Sequence, residues 1–172
     1  MKIMISPAKS LDFKSTLPTN THTQPAFLNE AVQLNASLKT KSPAELQKLM
    51  HISEKLATLN WERNQQFTTP FTNDNARPAV FAFNGDVYSG LDAYSFSENA
   101  LDIAQHNLRI LSGLYGILKP LDLMQPYRLE MGTSFGLNGH KTLYAFWKDQ
   151  LTTHLKNELS SSELVVNLAS KE

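Results

Sequence analysis

The chain has 172 residues, no cysteine, and 16 basic side chains balanced by 16 acidic ones. A chain of this length buries about 70% of its unfolded surface, which is enough for one domain with its own core. The absence of cysteine excludes disulfides, thiolate metal sites and a cysteine nucleophile. The N-terminal apolar run is too short for a signal peptide, and no stretch is long enough for a membrane helix, so we expect a cytoplasmic protein.

The first half of the chain is predicted to hold one strand, two helices and two polar loops. In order, these are a strand over 2–5, a loop over 11–26, a helix over 26–39, a helix over 42–59 and a loop over 68–78. The second helix has the strongest start signal. Ser42 precedes Pro43, and Glu45 follows three residues after Ser42, which is the pattern of a capping box.

The second half alternates between strand and helix patterns. We predict a buried strand over 79–83, a short helix over 86–89, a helix over 97–108, a helical extension or strand at 109–111, an irregular stretch over 118–128, a helix over 143–155 and a buried strand over 164–168. This alternation predicts an α/β protein with a mixed central sheet flanked by helices. Because natural termini are usually exposed rather than close to a core strand, we expect a single domain over 1–172 that is incomplete at its C-terminus.

Two short motifs resemble catalytic signatures but lack the context that these require. Ser6-Pro-Ala-Lys9 matches the S-x-x-K spacing of serine acylases, yet the companion motifs are missing. Gly139-His-Lys-Thr142 resembles the end of a phosphate-binding loop, but glycine does not directly precede the lysine, so we interpret it as a turn into the next helix. Lys9 is better explained as an anion contact in a loop after a strand, or as an exposed side chain.

The distribution of charge is uneven, although the total is neutral. Residues 74–102 are mainly acidic, and residues 105–156 are mainly basic. A neutral total argues against a protein that coats nucleic acid by charge alone. The basic stretch has two interpretations, a local basic surface and a solvated face with scattered charges. Within 108–132, cations, glycines and tyrosines stand close together, which suits contact with a nucleic-acid backbone and bases. A packing loop is the alternative.

Several segments together resemble one known family. They are ISPAKSLD at 5–12, FNGDVYSGL at 83–91, LSGLYGILKPLDLMQPYRLEMG at 111–132, YAFW at 144–147 and VNLAS at 166–170. This set is similar to the YaaA family of bacterial peroxide-stress proteins, and the resemblance runs from Met1 to Glu172. Members of that family continue through a lysine-rich segment beyond the point where this chain ends.

The resemblance implies a function as well as a fold. It implies a cytosolic protein, made under hydrogen peroxide stress, that lowers free intracellular iron and so limits Fenton damage. It also implies binding of double-stranded or structured DNA through a basic cleft and a helix-hairpin-helix-like element on an unusual α/β fold. We place that element on residues 84–107, with 108–119 as the second choice. The resemblance implies no reaction, cofactor, membrane or obligate protein partner.

Charge within the matched segments selects the candidate residues. The DNA-binding candidates are Lys9, Arg109, Lys119 and Arg128, and the cleft candidates are Asp86, Tyr88, Tyr127 and Glu130. Two alternatives stay open beside DNA binding. In the first, Asp86, Glu130 and a histidine ligate Fe(II) through oxygen and nitrogen donors, although no two histidines share a helical spacing. In the second, an enzyme uses Lys9, Asp86, Arg128 and Glu130 in one cleft.

Overall fold

The computed structural model of the protein describes residues 1–170. Eight short strands form within this part of the chain: β1 (Lys2–Ile5), β2 (Ser10–Leu11), β3 (Arg77–Pro78), β4 (Phe83–Asn84), β5 (Leu108–Ser112), β6 (Gly116–Leu118), β7 (Leu123–Met124) and β8 (Val165–Asn167). The same residues contain seven α-helices: α1 (Leu28–Lys39), α2 (Pro43–Met50), α3 (Glu54–Gln66), α4 (Ala79–Ala82), α5 (Asp86–Leu91), α6 (Glu98–Asn107) and α7 (Leu143–Glu158).

Four of the strands form the central sheet, in the order β6-β5-β1-β8. Both neighbours of β1 are parallel to it: Met4 pairs with Arg109 on β5 and with Asn167 on β8. Strand β6 is antiparallel to β5. Two smaller antiparallel pairs, β2 with β4 and β3 with β7, tie the connecting segments together. The predicted α/β class with a mixed sheet is therefore confirmed.

Helices pack against one another and against the sheet, and they share the core with the strands and loops. Helices α1, α2 and α3 pack together, α6 packs against β1, and α7 packs against β6. The indole of Trp147 on α7 is 1% exposed and donates from Nε1 to the carbonyl oxygen of Gly113 at 2.9 Å. None of the described helices is long and apolar enough to cross a membrane.

Serine or threonine caps begin α2, α6 and α7, close to the predicted starts of these helices. At α2 the capping box is complete: Glu45 N–H donates to Ser42 Oγ at 3.3 Å, and Ser42 N–H donates to Glu45 Oε2 at 2.8 Å. Ser97 caps α6, and Thr142 caps α7 after the turn at 139–142. These caps satisfy amide groups that the first turn of a helix leaves without a partner.

The prediction of one helix over 42–59 is wrong, because two helices occupy that stretch. Helix α2 ends at His51, whose φ of 52° lies in the left-handed region. Ser53 then caps α3 by accepting a hydrogen bond from Leu56 N–H at 3.4 Å. The apolar spacing continues across the break, so periodicity alone does not reveal it.

The predicted strand over 79–83 is also wrong in type. Residues 79–82 form the single-turn helix α4, and only Phe83 continues into β4. The burial is as expected, because all five residues are at most 3% exposed. A short apolar run fits a buried helix or a buried strand equally well, and here Pro78 begins the helical turn.

Three smaller points concern the extent of a helix, a choice that the sequence leaves open and the burial of a strand. Helix α5 continues through Gly90 to Leu91 instead of ending at 89. Residues 109–111 belong to β5 and do not extend α6. The strand predicted over 164–168 forms as β8, but it is not buried: Leu164 and Leu168 are 62% and 66% exposed.

Candidate functional site

The segment that follows β1 lies where three parallel strands end. Ser6 leaves the carboxyl end of β1, and its Oγ lies 2.9 Å from the Oγ of Ser170, beyond the end of β8. The amide of Ser170 also donates to Ser6 Oγ at 2.9 Å. In open α/β sheets, ligands bind outside the carboxyl ends of the strands, at the point where the strand order reverses direction. β1 has parallel neighbours on both sides, so residues 6–9 occupy such a position.

Three of the predicted site residues meet there. The Lys9 ammonium lies 3.3 Å from Oε1 of Glu130, and Nη2 of Arg128 donates to the same oxygen at 2.8 Å. The Lys9 side chain is 62% exposed, whereas that of Arg128 is 17% exposed. One carboxylate thus holds two cations that come from distant parts of the chain. A small cavity separates residues 7–9 from residues 127–130.

The wall of the cavity formed by residues 127–130 is positioned by a close approach of two backbone segments. Gly113, just after β5, lies against the backbone of Leu129 and Glu130, and a Cβ at Gly113 would be only 2.9 Å from the Leu129 carbonyl carbon. Such a distance leaves no room for a side chain. The glycine therefore lets the 127–130 segment pass directly over the end of β5 and positions Arg128 and Glu130.

One cation in this neighbourhood was not predicted from the sequence. Arg63, in the last turns of α3, is half-buried, and burial followed by the positive charge of Arg128 lowers its pKa. Its Nη1 donates to Asn60 Oδ1 at 3.1 Å, and it has no ion pair within residues 1–170. The only signal in the sequence was an arginine on a polar helix, and that pattern does not indicate a site.

The two tyrosines of the predicted cleft are buried supports. Tyr88 donates from its hydroxyl to the Ser6 carbonyl oxygen at 2.9 Å, and burial raises the pKa of Tyr88. The Tyr127 hydroxyl lies 2.7 Å from Ser112 Oγ, in a hydrogen bond at the end of β5. Both rings are 7% exposed and pack against Phe83. They hold the segments after β1 and β5 in place.

The acidic candidate Asp86 lies on the neighbouring segment. It begins α5, is exposed, and makes no hydrogen bond or ion pair with the residues described. Gly85 before it packs against the site, because a Cβ there would lie 3.2 Å from Cβ of Ala8. Among residues 1–170, no three histidine or carboxylate side chains are grouped so that they could hold a metal ion.

The other two cationic candidates lie at the opposite end of the sheet. Arg109, near the start of β5, is 3% exposed, and its Nε donates to Glu158 Oε2 at 2.8 Å. The Lys119 ammonium lies 3.3 Å from Oε1 of the same glutamate. The structure thus divides the four cationic candidates into two pairs, one around Glu130 and one around Glu158.

Comparison with known proteins identifies the family. The family described as "Peroxide stress protein YaaA" matches residues 1–172, the whole chain. UPF0246 proteins of Flavobacterium psychrophilum and Flavobacterium johnsoniae are each 60% identical over 172 residues, covering all of this chain and 68% of each relative. A UPF0246 protein of Saccharophagus degradans is 56% identical over 174 residues, with 68% of its length covered.

The chain belongs to the YaaA family of peroxide stress proteins. Three of the segments that carry the resemblance meet at the site described above. Residues 5–12 and 83–91 are joined by the pairing of β2 with β4, and residues 111–132 supply Arg128 and Glu130.

The two places suggested for a helix-hairpin-helix-like element differ in the structure. Residues 108–119 form the β5–β6 hairpin, so the second choice is wrong. Residues 84–107 do contain two helices, α5 and α6, joined through a left-handed turn at Asp92 and a short 3₁₀ helix over Ala93–Ser95. Exposed carboxylates stand along this element, at Asp86, Asp92, Glu98 and Asp102.

Proposed function

We propose that this chain acts in the peroxide stress response by binding DNA through the phosphate backbone, and that binding limits iron-dependent oxidative damage. The observation that carries the proposal is the convergence of Lys9 and Arg128 on one oxygen of Glu130. Two cations from distant segments meet at the carboxyl ends of parallel strands, a position where α/β sheets bind ligands. The family match supplies the physiological context.

The chemistry of the two cations suits phosphate. Arg128 offers a planar guanidinium that matches two oxygens of one phosphate group, and the exposed Lys9 offers a mobile point charge. Contacts of this kind position a protein on DNA without reading bases. Affinity should therefore fall steeply with salt and vary little with sequence.

The same contacts provide a link to iron. DNA carries a layer of condensed cations, and a protein that neutralises phosphates releases them. Ferrous ions held by the phosphates are among the cations that would be displaced. A stretch of DNA covered by the protein would then hold less iron, and peroxide would generate fewer hydroxyl radicals beside it.

The remaining candidates have other roles in this proposal. Arg109 is buried in its ion pair with Glu158 and is not available to a phosphate. The element over 84–107 receives no phosphate contact, because its exposed carboxylates would repel the backbone. Lys119 lies at the far end of the sheet from Lys9, which makes it a useful control.

The test is a fluorescence-anisotropy titration of labelled duplex DNA across a salt series. Lys9→Gln combined with Arg128→Gln should weaken binding and lower the log–log salt slope by about two, because each lost phosphate contact contributes about 0.9. Lys119→Gln should leave the slope unchanged. Equal binding by the double variant and the parent protein at every salt concentration would show that the contact surface lies elsewhere.

A further inference from the structure

We propose that the pocket between Lys9 and Arg128 takes a phosphate monoester, the group found at a DNA 5′ end or on a free nucleotide, in preference to an internal phosphodiester. This deepens the DNA-binding function and rests on it for the choice of site. It names the kind of phosphate that is recognised, which backbone contact alone does not specify. Charge, an unpaired donor and the shape of the pocket support it independently.

The local charge is matched to a dianion. Lys9 and Arg128 are cationic, and Glu130 is the one carboxylate that pairs with either of them among the residues described. The site therefore carries an excess of positive charge in a partly buried place. A monoester at neutral pH carries about −1.5 to −2, whereas a phosphodiester carries only one negative charge. The monoester neutralises this excess more completely.

An unpaired donor points to a second anionic oxygen. Nε of Arg128 is buried and has no hydrogen-bond partner within residues 1–170, although Nη2 of the same guanidinium donates to Glu130. A buried donor without a partner is costly, and nearly all such groups in proteins are satisfied. Nε and Nη2 lie on one edge of the guanidinium, the edge that holds two oxygens of a phosphate group side by side.

Glu130 occupies the position that the ligand would take. Its Oε1 receives both Lys9 and Arg128, as a phosphate oxygen would. The Glu130 side chain is 33% exposed, so it can rotate towards solvent when an anion enters. Removal of its charge should therefore strengthen binding of the anion. If the three residues were merely a structural ion cluster, the same substitution would not change the preference for a monoester over a diester.

The shape of the pocket favours a phosphate at the end of a DNA chain over a phosphate within it. Residues 7–9 form one wall, residues 127–130 form the other, and the cavity between them measures about 20 Å³. That volume holds roughly one water-sized group until Glu130 moves. Once Glu130 has turned away, a terminal phosphate brings a sugar on one side only, whereas an internal phosphate brings sugars on both sides and should bind there more weakly.

The experiment compares two duplexes of identical sequence, labelled at the 3′ end and carrying either a 5′-phosphate or a 5′-hydroxyl. We expect the 5′-phosphate duplex to bind about tenfold tighter, because one additional charge-assisted contact is worth about that factor. Arg128→Gln should abolish the difference in affinity between the two duplexes. Lys9→Gln should do the same, and because Lys9 is exposed this variant should fold normally. Glu130→Gln should increase it, and Lys119→Gln should leave it unchanged.

A deoxynucleoside 5′-monophosphate, titrated by calorimetry, separates this proposal from the function on which it rests. Equal binding of the two duplexes with a steep salt slope would overturn the monoester proposal and leave DNA binding intact. Binding of the monophosphate without binding of either duplex would support the monoester pocket and overturn DNA binding. No binding of any of these probes would overturn both.

Discussion

Arg109 donates from Nε to a carboxylate oxygen of Glu158 at 2.8 Å and thereby joins β5 to the last turn of α7. The guanidinium also donates to the carbonyl oxygens of Gln105 and Leu108, at 3.1 and 2.7 Å. These partners satisfy a charged side chain that is almost fully buried. Lys119 contacts the same carboxylate. Glu158 therefore neutralises two cations at this end of the sheet.

Glu158→Gln should destabilise the fold by about 2 kcal/mol, because it removes the carboxylate that pairs with the buried Arg109. The loss is at the low end for a buried ion pair, since the Glu158 side chain is partly exposed. The measurement is urea unfolding followed by circular dichroism. Asp149→Asn removes the same charge from an exposed position of the same helix and should change stability by less than about 0.5 kcal/mol. Equal losses for the two variants would mean that Arg109 does not need Glu158.

The same ion pair predicts a loss of stability in acid. Burial raises the pKa of Glu158, but the hydrogen bond and charge of Arg109, together with Lys119, outweigh burial and hold the pKa below its ordinary 4.5. The contribution is therefore fully present above pH 4.5 and is lost as the pH falls through the lower pKa of the folded state. The difference in unfolding free energy between the parent and Glu158→Gln should shrink in that window. A difference independent of pH between 7 and 3 would contradict this sign.

Gly113→Ala should cost about 3 kcal/mol of stability and displace residues 127–130, because the new Cβ would overlap the Leu129 backbone. Thermal unfolding measures the loss. Gly90→Ala is a matched control, since a Cβ at Gly90 in α5 meets nothing within 4 Å and alanine favours a helix by about 0.5–1 kcal/mol. If Gly113→Ala melts like the parent, the close approach at Gly113 is not required.

Asp12 should titrate with an unusually low pKa. A side-chain hydrogen bond from Ser15, followed by the backbone amides of Ser15 and Lys14, lowers its pKa from 3.8 to about 2. Ser15→Ala should move the pKa back towards 3.8, as measured by NMR titration of the Asp12 carboxyl carbon. Lys14→Gln keeps the backbone amide and should leave the pKa unchanged.

Local signals predicted much of the fold. Caps at Ser42 and Ser97 marked helix starts because a serine oxygen next to the first turn satisfies the same amides in any context. The cap at Ser53 was missed, since it stands within an apolar pattern that continues through the break. The helical turn at 79–82 was missed because a short buried apolar run has no distinguishing period.

The candidate site was only partly predictable. Lys9, Arg128 and Glu130 were all named from the sequence, but their meeting depends on the approach of Gly113 to Leu129, a contact between segments that no local pattern encodes. Arg109 was expected on a surface and lies buried, because β5 is an inner strand of the sheet. Burial of a charge depends on strand order, which composition does not reveal.

The parallel pairing of β1 has a consequence for synthesis. Met4 emerges early from the ribosome, yet its neighbours on either side are Arg109 and Asn167. At roughly 5–20 residues per second, Asn167 follows Met4 by about 8–30 s. The first strand therefore has no partner in the sheet until β5 has been translated, and its second edge stays unpaired until β8 follows.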